Sequence, residues 1–465
     1  MATRIIAWIG LAVAVGILVF QVLVPPVIGL ADNGDFGKIS LKFSLRVPYN
    51  PGALPGSPYI NLRWEFDPES HWKSGFHSAE TLVVNVAVQL NRLINGDDYF
   101  DLRCLGAVHA GLFLLAFAFF APLTGAVRPV LQAGLLALAI LFFCDAMYST
   151  YYNSFYMDAA AFVFLMLALV FLVRAARPGV DGPIDAWAAV LFSVLMLWAK
   201  SQHALLAIPL IVFVLWKRRA MWARHPLLAS ALAVSMIAGG SAYSLIRGTP
   251  PGYANPCLFN IIFARLLPTA DNPSAELASL GLDDSYLEYM GLNAYAPESP
   301  LLRKNYWAHE FLSKTSFPTL ARFYIRHPGR TLYVAGVALR EASRQRPLRE
   351  GLGSVGNYTE SAGYPPYSQS NAFAAWGSAK KAALGSYPWL YPLIFAIAVG
   401  IVAWAHPAGG VALGLMEVLE FGLSGMTDSV EVTRHLFFFN AIWDVTLFAA
   451  VCVLALGLDA RLKRR

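Results

Sequence analysis

Apolar residues run almost without interruption from Ile5 to Leu30, behind a single Arg4. Such a run is long enough to span a bilayer, which takes ~20 mostly apolar residues. It exceeds the usual ~7–15-residue apolar core of a signal peptide. Gly29, Leu30 and Ala31 would be a tolerable cleavage site, yet the length reads better as an uncleaved first helix. After a polar stretch, further apolar runs fall at 104–122, 130–144, 158–173, 186–199, 203–216, 226–245, 387–405, 411–423 and 436–457. With the first, these predict ten transmembrane helices. Two intervals are too long to be turns: 31–103 and 246–386. Ten spans put both on the same side of the membrane.

Three parts follow. Residues 1–245 form an N-terminal membrane module of seven helices that includes the first long loop, 31–103. Residues 246–386 form a large second loop, and 387–465 a C-terminal module of three helices. Within the first loop, Leu82, Val86, Leu90, Leu93 and Ile94 recur at helical spacing behind Ser78, a candidate cap. Asn85, Gln89 and Arg92 face elsewhere, so a helix lying on the membrane surface is expected. The second loop is rich in Pro, Gly and Tyr, with helical pieces near 313–326 and 329–345.

Composition agrees with this pattern. Hydrophobic residues make up 57% of the 465 and charged residues 14%, against about 25% charged in soluble chains. Mean hydropathy is +0.52. The fold class expected is therefore an all-α polytopic membrane protein, not a soluble enzyme, a disordered chain or a nucleic-acid-binding domain. The net charge of +6 need not signal an acidic partner. Basic residues follow topology: the short segments assigned inside hold twelve, and the short outer loops only Lys200 and Arg434. That split places both termini in the cytoplasm and both long loops outside. Cys104, Cys144 and Cys452 lie in apolar runs and Cys257 alone in a loop, which leaves no loop disulfide.

Candidate chemistry gathers on the outer side. Asp32, Asn33, Gly34, Asp35 and Phe36 follow the first helix directly, and Asn-Gly is a turn signal. The turn can bring Asp32 and Asp35 together, either to hold a divalent cation such as Mg or Mn or to supply a general base. An exposed polar turn fits the same residues. Asp145 and Asp158 bracket a stretch with four tyrosines and no Lys or Arg. They offer further carboxylates, with Asp158 a possible second metal ligand, or else a helix cap beside an aromatic interface belt. Lys200 and His203 lie between two short spans, where a cation can bind an anionic headgroup or simply snorkel. Arg434 and His435 suit a phosphate, although Arg434 can instead pair with Glu431 three residues earlier. A series including Arg322, Arg326 and Arg330 in the second loop reads as a solvated face or an attraction to anionic lipid. The sequence contains no Walker motif and no dinucleotide fingerprint. A site facing away from the nucleotide pool needs a membrane-carried activated donor, or none.

The layout of one helix, a long outer loop opening on acids, and a second acidic site between the third and fourth helices resembles the GT-C class of membrane glycosyltransferases. Protein O-mannosyltransferases, the lipid A aminoarabinose transferase and oligosaccharyltransferases belong to that class. The run from Asn33 to Phe36 and the run from Tyr151 to Asp158 are similar to segments of bacterial envelope-glycan members. Arg326, His327 and Pro328, and then Arg434 and His435, are similar too. The chain lacks the adjacent Asp-Glu or Asp-x-Asp pair of many members, and a clear soluble C-terminal domain. The resemblance implies a bacterial plasma-membrane glycosyltransferase with its site on the periplasmic side. It would move a sugar from a polyprenyl-phosphate donor to a glycan, lipid or protein acceptor. It further implies Asp35 or Asp32 as the base, Asp35 preferred because it follows the turn and can point into a cleft. Asp145, Asp158, Lys200, His203, Arg434 and His435 would bind substrate. An O-antigen polymerase or ligase would rely on the late Arg and His residues instead. A lipid-linked glycan transporter would place ionisable groups near the midplane, as Glu417 and Glu420 are placed.

Overall fold

The computed structural model describes residues 1–25, 27–30, 32, 34–47, 61–70, 75–177, 183–250, 252, 255–303, 307–344 and 373–464. In chain order the long helices are α1 (Ala2–Val22), α2 (Glu80–Asn95), α3 (Leu102–Phe120), α4 (Pro129–Phe143), α5 (Asp158–Ala175), α6 (Pro183–Ala199), α7 (Ala207–Met221) and α8 (Pro226–Arg247). Then come α9 (Phe317–Arg326), α10 (Pro328–Ala342), α11 (Ala375–Ser386), α12 (Leu390–Ala405), α13 (Pro407–Gly425) and α14 (Phe437–Arg464). Each of the ten apolar runs of the sequence is thus a helix. Six of them cross a membrane unaided by length and composition: α1, α3, α5, α8, α13 and α14. The pair α11 and α12 would make a seventh, bent by 116°. The remaining apolar helices are short: α4 and α7 have 15 residues and α6 has 17. At 1.5 Å per residue they reach only about 22–26 Å. The chain is an α-helical polytopic membrane protein with six to seven candidate spans by this measure.

The helices surround α5. Every residue of α5 from Asp158 to Ala168 is buried, whereas α1 shows Trp8, Ile9 and Phe20 outward. A helix apolar all round and covered all round is the centre of a bundle, and one apolar but exposed is its lipid-facing rim. Ion pairs mark one end of the bundle. Arg128 meets Asp459 at 3.4 Å, Arg174 meets Asp185 at 3.1 Å, and Lys463 meets Asp459 at 2.6 Å. The two long loops stand at the opposite end.

The first loop carries an element that the sequence reading left out. Three short strands, β1 (Leu45–Arg46), β2 (Arg63–Phe66) and β3 (Phe100–Asp101), form an antiparallel sheet in the order β1-β2-β3, with Leu45 opposite Phe66 and Arg63 opposite Asp101. Strands of two, four and two residues are too short for alternation to stand out. The helix α2 is present with the expected apolar face exposed, and it has a second, inward face that the pattern did not single out. Val83, Val84, Ala87, Val88 and Asn91 pack inward, while Leu82, Val86, Leu93 and Ile94 are exposed. The small and β-branched side chains allow close packing on α3, and the larger ones are left for lipid. Ser78 takes part in the start of α2: its hydroxyl accepts from Glu80 N at 3.0 Å and donates to Ala199 O at 2.5 Å, which ties the loop to α6.

The described part of the second loop has its own core. Phe259, Phe263, Tyr286, Trp307, Phe311 and Phe323 lie at its centre, and Met426 from the end of α13 packs into it. The expected helical pieces are α9 and α10.

Candidate functional site

The turn after α1 is built around Asp32. Its Oδ1 accepts from the backbone N–H of Gly34 at 2.7 Å and of Phe36 at 3.0 Å. Gly34 has φ of 101°, a left-handed value that side chains with a Cβ resist. Phe36 then anchors the turn, its ring lying 4.7 Å from Tyr156, 5.6 Å from Phe155 and 6.1 Å from Trp64. Asn153 fixes the approach. Its amide donates to Val22 O at 2.9 Å and to Ile28 O at 2.8 Å. So the tyrosine-rich segment before α5 is a buried clamp on the acidic turn, not an interface belt: Tyr148, Tyr151, Tyr152 and Tyr156 are all buried.

Asp35 meets two cations. Arg434 Nη1 donates to Asp35 Oδ2 at 2.8 Å, and Lys38 ion-pairs with Oδ1. Arg434 Nη2 also reaches Glu431 Oε2 at 2.7 Å, so the local pairing expected as the alternative coexists with the long-range one. The guanidinium lies 4.8 Å from the Tyr156 ring centroid. Its Nε–H is buried without an acceptor among the described residues. Glu431 holds this arrangement with φ of 54°, a strained value for a non-glycine residue.

A second pair lies alongside. Lys200 Nζ donates to Asp158 Oδ1 at 2.9 Å. The N-cap of α5 is Met157, with no side-chain cap hydrogen bond, so Asp158 serves the pair and not the helix end. His435 and Asp428 close the group at 3.7 Å, and Asp428 also accepts from Asn260 Nδ2 at 3.0 Å. Tyr295 of the second loop is within electrostatic reach of Asp428, Cys257, Asp35 and Arg434. Side chains here keep small openings to solvent: 25% for Asp35, 19% for His435, 14% for Lys200 and 12% for Lys38.

The electrostatics separate the two turn carboxylates. Burial alone would raise Asp35, but Arg434 and Lys38 together hold it far below the usual carboxylate range. Burial raises Asp32 and the charge of Asp35 adds to it, while the backbone N–H groups of Phe36 and Gly34 only partly oppose this. For His435, burial and then Lys200 and Arg434 push the pKa well below its ordinary value. That direction favours the neutral ring, which would offer a phosphate an N–H donor in place of a charge.

The eight residues singled out in the sequence therefore divide. Asp32, Asp35, Asp158, Lys200, Arg434 and His435 come together at the loop-bearing end. His203 stands behind them, fully buried, with Nδ1 3.0 Å from Glu420 Oε2 and its ring stacked on Phe438 at 4.0 Å. Asp145 lies elsewhere. It caps residues 146–149 by accepting from Met147 N at 2.9 Å, and accepts from Gly377 N of α11 at 3.1 Å. It borders a separate buried cluster in which Lys380 donates to Asn440 Oδ1 at 2.7 Å and to Asp444 Oδ1 at 3.1 Å, and Tyr148 donates to Asp444 Oδ2 at 2.5 Å. Neither Asp145 nor His203 is placed to touch a substrate at the first cluster.

Lys38 and Lys380 are not among the candidate residues of the sequence, while Tyr156 and Asp428 lie in candidate segments (145–158 and 428–435) without an assigned role. Only Lys38 carries a local signal, at three residues from Asp35. The metal reading does not fit: among the described residues no group of three or more His, Cys, Asp or Glu is arranged to hold a metal ion. Asp158 is held by Lys200 and Asp32 by backbone amides, so no step below passes through Mg or Mn.

A many-helix membrane bundle with an ion-paired, partly exposed polar cluster at one end defines a class: a polytopic membrane protein with a polar site where its loops meet the bundle. The chain matches the family described as the YfdI N-terminal transmembrane domain over residues 2–465, and it belongs to that family. No match was found among curated proteins or solved structures.

Proposed function

We propose that the chain is a membrane glycosyltransferase of GT-C type that takes a sugar from a polyprenyl-phosphate donor. The acceptor is an envelope glycan, lipid or protein on the extracytoplasmic side. The observation that carries this reading is the meeting of Asp32 and Asp35 with Arg434 and the Lys200–Asp158 pair in one cleft, from four distant parts of the chain. Ten helices crossing a plasma membrane, with α4, α6 and α7 as short spans, would place this cleft outside. Short spans leave room for a cavity reaching below the surface.

In this mechanism Asp32 is the base. One of its oxygens is oriented by two backbone amides, and the other carries no hydrogen bond among the described residues. It removes the proton from the acceptor hydroxyl as that oxygen attacks the anomeric carbon, and the phosphate–sugar bond breaks with the electron pair leaving on phosphate. A base is most effective when its pKa approaches the working pH, which favours Asp32 over Asp35. Asp35 holds Arg434 and Lys38 in place. The leaving phosphate gains charge, and the cations near it are Lys200 and Arg434, whose Nε–H is an open donor.

The test is transfer of a labelled hexose from a short-chain polyprenyl-phosphate donor by the protein in nanodiscs. Asp32→Asn should lower turnover by ~10²-fold or more. An Asp32→Asn protein that remains folded and fully active would end the assignment of the base. A transporter is the second reading, favoured by Lys380, Asp444 and Glu417 buried in the bundle. Movement of a fluorescent lipid-linked glycan across proteoliposomes, without transfer, would select it.

A further inference from the structure

The C-terminal end of α10 and one face of α11 enclose an open groove of about 520 Å³. Its polar lining is Arg340, Ser343, Arg344, Ser378, Lys381 and Ser386. Among the described residues its lining holds three cations and no carboxylate. Arg344 is paired with Glu341 at 3.0 Å, but Arg340 and Lys381 have no ion pair among the described residues. The opposite face of α11 explains why the groove is a built feature. Lys380 is buried against Asp444 and Asn440, which pins α11 to α14 and leaves Lys381 and Ser378 facing out.

The surroundings are those of a membrane interface. α11 turns by 116° into the apolar α12. Tyr387 and Trp389 stand exposed at that turn, and Leu393, Ile397 and Trp404 are exposed along α12. Exposed aromatic residues above an exposed aliphatic stripe mark headgroup level and acyl-chain level. An anion site opening at headgroup level directly above a lipid-facing helix has the shape of a lipid with a charged head.

We infer that the groove of Arg340, Arg344 and Lys381 binds the phosphate headgroup of a membrane lipid whose chain lies along α12. It is distinct from the cleft of Asp32 and Asp35. The two are joined through Glu341, which accepts from Thr433, the neighbour of Arg434, at 3.3 Å. The lipid is either a bulk anionic phospholipid or an isoprenoid phosphate, since both present the same phosphate to the same cations.

Native mass spectrometry of the detergent-purified full chain tests it, with phosphatidylglycerol, phosphatidylcholine, farnesyl phosphate and farnesol as probes. The wild type should retain phosphatidylglycerol over phosphatidylcholine, and farnesyl phosphate over farnesol. Arg340→Glu with Lys381→Glu should lower retention of both phosphate lipids by roughly tenfold or more, as expected when two basic residues at an anionic surface are reversed. Preferential displacement of phosphatidylglycerol by farnesyl phosphate assigns the groove to isoprenoid phosphate, and the reverse order assigns it to bulk phospholipid. The unfolding midpoint of the variant in detergent reports whether it folds. If it does not, Lys381→Gln alone takes its place, with a smaller loss of the same sign. Equal retention of all four probes, or a folded variant that binds the phosphate lipids as wild type does, overturns the inference.

Discussion

Asp32 and Asp35 sit three residues apart on one turn, and their surroundings give them opposite tasks. Asp35 is neutralised by Lys38 and Arg434, so it makes a poor proton acceptor. Its depressed pKa means that its charge survives below the ordinary carboxylate range and is lost only as pH falls through the lower, folded-state value, while at the alkaline end Lys38, whose pKa burial lowers, is the partner that discharges first. Asp32 has the opposite sign: burial raises its pKa, so its charged, reactive form is lost as pH falls at values where an exposed aspartate would still be ionised. Turnover should therefore rise with pH along an acid limb centred above the usual aspartate value, and Asp32→Glu should shift that limb while Asp32→Asn removes it. Single-turnover rate measurements from about pH 4 to 8 read this directly, and a limb unchanged in Asp32→Glu would contradict it. Arg434→Lys should restore only part of the donor affinity lost in Arg434→Ala, because the three donors of an ammonium radiate from one nitrogen and cannot span Asp35, Glu431 and a phosphate as the planar guanidinium does. Donor titration in nanodiscs separates the two variants.

Among the elements, the contact of α3 with the clamp before α5 sets the position of the turn. A Cβ placed on Gly106 of α3 would meet Asn153 Oδ1 at 2.1 Å and Val22 Cγ1 at 2.5 Å. Gly106→Ala should force Asn153 off the carbonyls of Val22 and Ile28, at about 1–3 kcal/mol of overpacking. The expected readout is a lower unfolding midpoint together with reduced activity; a neutral Gly106→Ala would mean that Asn153 does not hold the turn. On α2, Leu82→Asp with Val86→Asp should weaken membrane association of the first loop and leave the fold intact, because both side chains point out of the protein. Accessibility of a probe on α2 to a membrane-impermeant reagent measures this. The helices themselves were legible because each rests on a run of apolar residues. The inward face of α2 was not, because Val83, Ala87 and Val88 make an apolar stripe beside a second one at Leu82, Val86 and Leu93, and periodicity cannot say which meets protein and which meets lipid. The short strands escaped because the pairing of Arg63 with Asp101 is a long-range event that no local pattern encodes.

For the whole molecule, the expected arrangement is ten crossings with both long loops outside. Single cysteines introduced in 31–103 and 307–344 should react with an impermeant thiol reagent in intact cells, and those in 217–225 should not. Labelling of 217–225 would reverse the orientation. Much of the cleft was legible as a set of charges on one side of the membrane, since topology alone gathers Asp32, Asp35, Asp158, Lys200 and Arg434 there. What topology cannot give is which charges touch. Asp145 shares the side but caps a neighbouring turn, and His203 shares the loop of Lys200 but points to Glu420. Those outcomes depend on lateral packing of helices, and a charge census along the chain contains no lateral coordinate.

The Arg434–Asp35 bond joins residues 399 positions apart. A ribosome makes Asp35 long before Arg434, which directly precedes α14. Until α14 is inserted, Asp35 keeps Lys38 but lacks Arg434, and Lys380 of α11 lacks Asp444. Chains cut short before residue 432 should thus hold the acidic turn from one side only and leave Lys380 without the carboxylate it donates to. The last helix described and the turn before it thus complete the site, and the acidic turn after α1 waits on them for its second cation.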